Sequence, residues 1–526
     1  MAGVEGHDMA GQQRPLMASG IGINRQLGEA LDTAIERNAV LRIGWTADGT
    51  EVPKDGESGL CPFLPSGARV RSLGRLGSWI ATRCAGSFDH RGDAGAFFAA
   101  ALNGGKVVCE GRANHFAGWR MADGMLVLNE GANDDLGAAM HGGLLLARGK
   151  VGARVGNGMA GGLIVVHGDV GMDPGSGMTG GMIVVDGRCQ APAEGVHLRP
   201  LTSDELAEVN SSIEDPSWQV HADAVCLVPK GEAAARHIEP SPRQHALEHL
   251  HLLPTTNDRL LSSTKVDSSV LLGQRPLALP VPVLPRLSSG ERMKAKRSSD
   301  AVADVLAHHP AIVDAAPRPI DLLRIGAQSL DAWPECSDAA GVLIDLDDLP
   351  PMDIEGFEAL LVLLFSLGND ELVVCLQGDI GRVSGLHAWA AEYGLAAAFA
   401  NIGSRPGLPV AAMLPMSGRS ANGTLNEDIT IAGGALDWVP TGLDIAILSA
   451  AGFGLVTFTP AEETPAALAG ILTSIEQGLA DALRNVGSHS IDALSRSNLR
   501  ASTHDVALMS GLRMAGFDRP LPEWTR

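Results

Sequence analysis

The sequence predicts a multidomain chain: a right-handed parallel β-helix, then an α/β region of the (β/α)8-like barrel type, shortened. Two observations predict it. The first is a repeat between Gly92 and Gly187, in which Met121, Met140, Met159 and Met178 recur every 19 residues. Paired glycines follow the last three (Gly142-Gly143, Gly161-Gly162, Gly180-Gly181), Asp123-Gly124 stands at the same place in the first, and one period earlier Leu102 precedes Gly104-Gly105. A short apolar run follows each pair, such as Leu163 to Val166 and Met182 to Val185. A fixed period too short for a helix pair, with β-like apolar runs, means stacked strands whose equivalent side chains share one interior. Glycines supply the positive-φ corners. The second observation is alternation of strand-like and helix-like segments after Lys265, which predicts βα units around a parallel sheet.

Two other readings of the glycines compete with corners. Gly152, Gly156 and Gly158 have the look of a phosphate loop, but glycine on every rung is a corner and not one cradle. Calcium-binding repeats need an aspartate recurring in register, and none recurs here.

In chain order, the predicted units are 1–67 (tail, helix and strand cap), 68–190 (β-helix), 191–264 (capping helix and linker) and 265–526 (barrel). Residues 1 to about 20 read as disordered. Asn24 to Arg37 reads as a helix and Val40 to Trp45 as a strand; Ala68 to His90 reads as imperfect first rungs. Pro200 to Ile213 reads as a helix capped by Thr202 or Ser203. Residues 214 to 260 read as an extended linker. Its His237, His245, His249 and His251 lack a convincing ligand frame, so no metal is expected. Strands are predicted at Gly341–Leu346, Glu371–Leu376, Leu395–Ala400, Pro409–Leu414, Asp428–Ala432 and Phe453–Phe458. Helices are predicted at Ala301–Ala307, Ile354–Leu367, Val383–Glu392, Gly442–Ala451 and Pro465–Val486.

Composition narrows the function classes. A formal charge of −21 argues against a nucleic-acid backbone or an anionic membrane as partner. Seven scattered cysteines without CxxC encode neither a zinc ribbon nor an iron–sulfur cradle, and point to reduced thiols in a cytoplasm. Met1 to Gly20 lacks a signal-peptide core, and the longest apolar run, Ala359 to Phe365, is too short to span a membrane.

The stretch Gly152-Ala-Arg-Val-Gly156-Asn-Gly158-Met-Ala-Gly161-Gly162-Leu-Ile-Val-Val-His-Gly168 resembles the GXGXG domain. That domain occurs in the glutamate synthase large subunit and N-methylglutamate synthase, and in a scaffold subunit of formylmethanofuran dehydrogenase. The segment from Ile23 to Leu27 is similar to the lead-in helix of N-methylglutamate synthase. The C-terminal half is similar to the FMN barrel of glutamate synthase in three places: Val266–Pro282, Thr430–Gly434 followed by Asp444–Gly452, and Ser490–Ala501. The resemblance implies FMN as cofactor, with Gly433, Gly434 and Gly452 as the flavin-phosphate residues and the helix from Gly442 adding its dipole. It also implies partners from the same complex: a glutaminase-type subunit and an authentic FMN subunit.

The departures are specific. Asn401 to Gly423 carries no Gly-Gly-Thr-Gly run, Cys375 stands where the family presents a lysine, and Phe458 and Pro460 crowd the last phosphate-binding strand. The cysteine trio for a 3Fe–4S cluster is missing, so no iron–sulfur cluster is expected. The expected function is therefore a subunit of a glutamate synthase-like complex, mainly a scaffold with a degenerate barrel. The alternatives are the scaffold of a formylmethanofuran dehydrogenase-type C1-transfer complex, an FMN-dependent oxidoreductase with a residual flavin site, and a hydrolase or transferase using a new barrel site. For the last, Asp345 and Asp347 lie at a predicted strand end, where barrel chemistry sits. Ser417 and Ser420 lack a nucleophile-elbow context, and His489 and His504 read as surface residues.

Overall fold

The computed structural model describes residues 15–515 apart from 231–246, 248, 255–259, 262, 274–276, 295–298, 369–370, 403–413, 415–416, 418–419, 422–423 and 426–428. Two compact units emerge: Gln13–His237 with Met352–Leu367, and Ile238–Pro351 with Gly368–Arg526 and Met1–Gln12.

The first unit begins with helix α1 (Pro15–Glu36), which starts nine residues before the predicted Asn24. Its Leu27, Leu31 and Ile35 stripe packs on the core of the sheet, and the rest of the predicted disordered tail lies outside the described residues. Strands β1 (Leu41–Ile43), β2 (Lys54–Asp55), β3 (Arg69–Arg75), β4 (Ser87–Arg91), β5 (Asn103–Cys109), β6 (Asp123–Leu128), β7 (Leu144–Ala147), β8 (Ala160–Val166), β9 (Gly180–Val185), β10 (Val196–Pro200) and β11 (Val225–Pro229) make a large mixed sheet. From β5 to β9 the pairing is parallel and offset by one repeat, as in Leu126↔Leu145, Leu145↔Ile164 and Ile164↔Ile183. A second ladder runs alongside it through Ala94, Ala113, Ala132, Val151, Val170 and Cys189. The period read in the sequence is thus the pairing register.

The methionine beat and the glycine pairs have one cause. Met121 Cε, Met140 Cε and Met159 Cε lie 2.6, 2.7 and 2.6 Å from where a Cβ would stand on Gly143, Gly162 and Gly181 of the next rung. The thioether fills the space that the missing side chain leaves, and all three methionines are buried. Corners depart from the expectation of glycine alone. Asp135, Gly137 and Ala139 have φ of 60°, 65° and 53°, and one rung later Arg154, Gly156 and Gly158 have 56°, 68° and 67°. Left-handed backbone therefore recurs at every second residue of the corner, occupied by glycine or not. Asp135 is held there by Arg154 Nε at 3.0 Å and Asn157 Nδ2 at 3.0 Å.

Helix α2 (Ser203–Ser211) follows β10 and is closed by Thr202 and Glu205, which exchange hydrogen bonds as a capping box. The region after it is not the plain linker expected. Strand β11 pairs antiparallel with β9 and with β10, because Val225 to Val228 can bury Cys226 and Leu227 against the sheet's last rung. The turn between α2 and β11 is fastened by Asp186. Its Oδ2 lies 3.0 Å from His167 Nδ1 and 2.7 Å from His221 Nδ1, and His167 Nε2 meets the Trp218 carbonyl at 3.0 Å. The hydrogen bond and charge of Asp186 raise the pKa of His221 above its ordinary value. A raised folded pKa means that the stabilisation is fully present below about pH 6.5 and is lost as pH rises through the folded value. Thermal melts of the wild type and His221→Asn should differ at pH 5.5 and converge by pH 9; a difference that persists at pH 9 would rule out this origin.

The second unit contains a closed eight-stranded parallel barrel. Before it come β12 (Leu250–Leu252) and the hairpin β13 (Val270–Leu272) and β14 (Leu277–Leu279). The barrel strands are β15 (Val283–Leu287), β16 (Ile312–Val313), β17 (Leu322–Ile325), β18 (Gly341–Asp345), β19 (Val373–Asp379), β20 (Ala397–Ile402), β21 (Ile431–Leu436) and β22 (Leu455–Phe458). Helices α3 (Asp300–His308), α4 (Ile354–Leu367), α5 (Val383–Glu392), α6 (Gly442–Ala450) and α7 (Pro465–Val486) lie between and after them, followed by β23 (Leu499–Ala501), which pairs with β12, and α8 (His504–Ser510). α4 groups with the first unit. There Asn24 of α1 donates to Ser366 Oγ at 2.9 Å and to the Gly59 carbonyl at 2.8 Å.

All eight strands are present, so the shortening expected from the sequence falls in the connections and not in the strands. Length is saved in the connections, since β16 and β17 are joined without a helix and β17 and β18 by a 3-10 segment, Leu330–Asp338. The predicted strand Pro409–Leu414 lies almost wholly outside the described residues. Leu284, Ile312, Leu322, Leu343, Cys375, Ala397, Phe399, Ala435 and Leu455 form one buried cluster drawn from all eight strands. Leu272 and Leu279 of the hairpin join that cluster and plug the end where the strands begin.

Candidate binding site at the barrel mouth

Side chains alternate faces along a strand. Two residues beyond each interior apolar side chain therefore stands the next interior position. Leu284 leads to Arg286, Ile312 to Asp314, Leu322 to Arg324, Leu343 to Asp345, Cys375 to Gln377 and Leu455 to Thr457. Six strands thus change from apolar to polar toward the C-terminal end of the barrel. Here α/β-barrel proteins place their chemistry.

Asp345 is the hub. Its Oδ2 accepts from Arg324 Nε at 3.0 Å, Arg286 Nη2 at 3.3 Å and Gln377 Nε2 at 3.3 Å. β15 and β18 are not neighbours in the barrel, so the bond from Arg286 to Asp345 crosses the interior. Arg324 is paired more fully: it also reaches Asp314 Oδ1 at 3.3 Å and Asp348 Oδ2 at 2.9 Å. Burial alone would lower its pKa, but attraction to Asp345, Asp348 and Asp314 outweighs that and raises it. Arg286 differs. Among the described residues it meets a single acceptor, and burial lowers its pKa despite the charge of Asp345. A half-buried guanidinium with one long hydrogen bond among the described residues is incompletely paired.

Asp347 stands outside the hub, bonded by Asn401 Nδ2 and by the Asp379 backbone N–H at 3.1 Å. Burial raises its pKa, and the carboxylates of Asp345 and Asp379 add to the rise, while its hydrogen bonds oppose it. Beneath the charged layer, Gln377 Oε1 and Thr457 Oγ1 are buried without a hydrogen-bond partner among the described residues.

The residues expected from the family resemblance lie elsewhere in the same barrel. Gly433 and Gly434 are buried within β21. A Cβ on Gly433 would stand 2.5 Å from the Phe399 ring, and one on Gly434 would stand 2.7 Å from Ile402 Cδ1. These glycines make room for neighbouring side chains. Gly452 has φ +104° and donates its N–H to the Ser449 carbonyl at 2.9 Å, ending α6. Cys375 is in the apolar interior, where burial pushes its thiol up to about 12. Phe458 is fully buried. Ser420 meets His387 Nδ1 at 3.1 Å, and burial holds that imidazole down to about 4. His237 and His245 are outside the described residues, whereas His251 lies on β12 opposite Arg500.

Of the mouth, sequence reading singled out Asp345 and Asp347 and missed Arg286, Arg324, Gln377 and Thr457. The signal was present as apolar–x–polar triplets (Leu-Pro-Arg, Leu-Leu-Arg, Cys-Leu-Gln, Leu-Val-Thr). The first two sit in strands of five and four residues, too short to stand out by periodicity.

No protein-family model matches the chain, and no curated protein matches it in sequence. Solved structures similar to it include a mandelate oxidase variant with the monooxide FMN adduct, at 16% identity, covering 48% of this chain and 88% of that one, with a TM-score of 0.35. Mandelate oxidase with 3,3-difluoro-2-hydroxy-3-phenylpropionic acid matches at 15% identity, 49% and 88% coverage, and a TM-score of 0.36. A flavocytochrome b2 mutant matches at 12% identity, 53% and 84% coverage, and a TM-score of 0.36.

Proposed function

We propose that the chain is a subunit of a glutamate synthase-like or N-methylglutamate synthase-like assembly, in which the repeat unit is a GXGXG β-helix scaffold and the barrel binds a small anionic molecule at its mouth. The 19-residue pairing register supports the scaffold reading. The observation that carries the barrel reading is Arg286, whose guanidinium reaches one acceptor among the described residues, at 3.3 Å, in a half-buried position. A planar fork with unused donors fits a carboxylate or a phosphate oxygen. Arg324 and Asp345 would hold that fork in place, with the Asp347 carboxyl exposed at the same rim.

Calorimetric titration with inorganic phosphate and with acetate tests this. Binding of at least one is expected, and Arg286→Gln should weaken it by about tenfold to a hundredfold, the worth of a charge-assisted hydrogen bond. Equal binding by wild type and Arg286→Gln would remove the anchor.

An FMN-dependent oxidoreductase is the second reading. Gln377 Oε1 and Thr457 Oγ1 favour it, because two buried polar atoms without partners are open to a polar ring system. As they stand, Gly433 and Gly434 do not fit a flavin phosphate, since Phe399 and Ile402 occupy the space in front of them. The absorption spectrum of the purified protein with and without added FMN separates the two readings. A bound flavin band supports the oxidoreductase; a protein that ignores FMN leaves the anion site without flavin.

A further inference from the structure

One face of the repeat unit's sheet is only partly covered. α2 and the turn after it bury the column Val127, Leu146, Val165 and Val184, which shares a cluster with Val209, Ile213 and Trp218. The column two residues earlier on the same face, Met125, Leu144, Leu163 and Met182, is only half-buried. These residues are directly paired from rung to rung. The column therefore forms one continuous apolar strip, with rungs spaced by about 4.8 Å.

Two cavities lie along this strip, of about 490 and 230 Å³. They share Lys106, Met125 and Glu214, so they form one groove. Its floor is Met125, Leu144 and Leu163. Lys106 heads the same column, since it pairs with Met125. The rim carries Asp123, Glu214 and Asp215. Gly124 and Gly143 also line it.

We propose that this groove docks an extended segment of a partner polypeptide in which apolar side chains alternate with lysine or arginine. The inference rests on the scaffold reading of the repeat unit and names the surface that reading requires. Charge complementarity selects the occupant. Three carboxylates line the groove against Lys106, with Arg148 stacked on Trp218 at its end, on a chain whose formal net charge is −21, so an acidic segment is repelled and a basic one is drawn in. The apolar floor takes the aliphatic side chains and the methylene stems of the basic ones. Half-exposed methionine and leucine on consecutive rungs make a contiguous apolar patch, which on a soluble surface marks an interaction site.

Fluorescence anisotropy on the full chain tests it, with labelled Ac-Leu-Lys-Leu-Lys-Leu-NH2 as the probe and its glutamate twin as the control. The basic peptide should bind and the acidic twin should not. Reversing two rim charges, Asp123→Lys with Glu214→Lys, should weaken the basic peptide by about tenfold, since each exposed ion pair carries up to about 1 kcal/mol. Both sites are exposed, so folding of the double variant is expected to be unchanged, which circular dichroism checks. Leu144→Lys should weaken the same peptide through the floor. Absence of binding, equal binding of both peptides, or insensitivity to the rim reversal would each overturn the proposal. Anion binding at Arg286 is read separately, so failure here with that binding intact overturns the groove alone.

Discussion

Replacing Asp345 by alanine is expected to cost the barrel about 3 to 5 kcal/mol, the range for breaking a buried ion pair by removing one partner. Side-chain exposure is 5% for Asp345, 15% for Arg324 and 21% for Arg286, so little solvent is present to take over. The two arginines lose unequally. Arg324 keeps Asp314 and Asp348, whereas Arg286 loses its one acceptor. Most of the cost therefore comes from Arg286, and Arg286→Met in the Asp345→Ala background should recover part of it. Asp345→Asn keeps the size and an acceptor oxygen and should lie between wild type and alanine. Urea unfolding followed by circular dichroism measures all four proteins. A loss below about 1 kcal/mol for Asp345→Ala would mean that water already compensates the guanidiniums, and the mouth would then be a solvated rim.

Gly168→Ala is expected to destabilise the repeat unit by about 3 kcal/mol, the upper end of ordinary overpacking. A Cβ at Gly168 would stand 2.4 Å from both the carbonyl carbon and oxygen of Gly149 and 2.6 Å from Lys150 N. All three are backbone atoms of the previous rung, so no rotamer change relieves the overlap. Gly187 faces Gly168 in the same way, at 2.4 Å from its carbonyl oxygen, so displacement of one rung is passed to the next. Gly158→Ala is the matched control. It has φ +67° but no atom within 4 Å of its Cβ position, so it reports backbone strain alone, about 1 to 2 kcal/mol. Thermal melts compare the two. Gly168 lies outside the left-handed region, so its loss reports the approach of the rungs alone, and a loss smaller than that of Gly158→Ala would mean that the rungs move apart at little cost.

The repeat unit was largely legible because its information is local. Met121, Met140 and Met159 mark the register directly, and a strand that pairs with its neighbour one period away needs no long-range inference. α4, α5 and α7 were read within a residue because their apolar spacing lies in the segment itself. The barrel's first strands were not legible. Ile312–Val313 and Leu322–Ile325 are shorter than any periodicity window, and closure between β15 and β22 is a pairing of Val283 with Val456 that no local pattern announces. The mouth shares this difficulty. Arg286 and Asp345 are 59 residues apart, and each alone resembles a solvated charge at a strand end. Strand β11 was missed for a related reason: its short Val-Cys-Leu-Val run follows a polar turn, and its partner is the last rung.

The match between sequence period and pairing register also makes the length of the sheet a variable that evolution can change in whole steps. Each inner rung presents to the next the same row of backbone donors and acceptors, the same methionine and the same receiving glycine. Removing 19 residues as a block, such as 144 to 162, would bring Leu163 to the place of Leu144 and leave every remaining contact with a partner of its own kind. Removing part of a period from these inner rungs would put the methionines and their receiving glycines out of step. Such a chain can grow or shrink between relatives without redesign of its core, and the reach of the groove would change by one rung with each step.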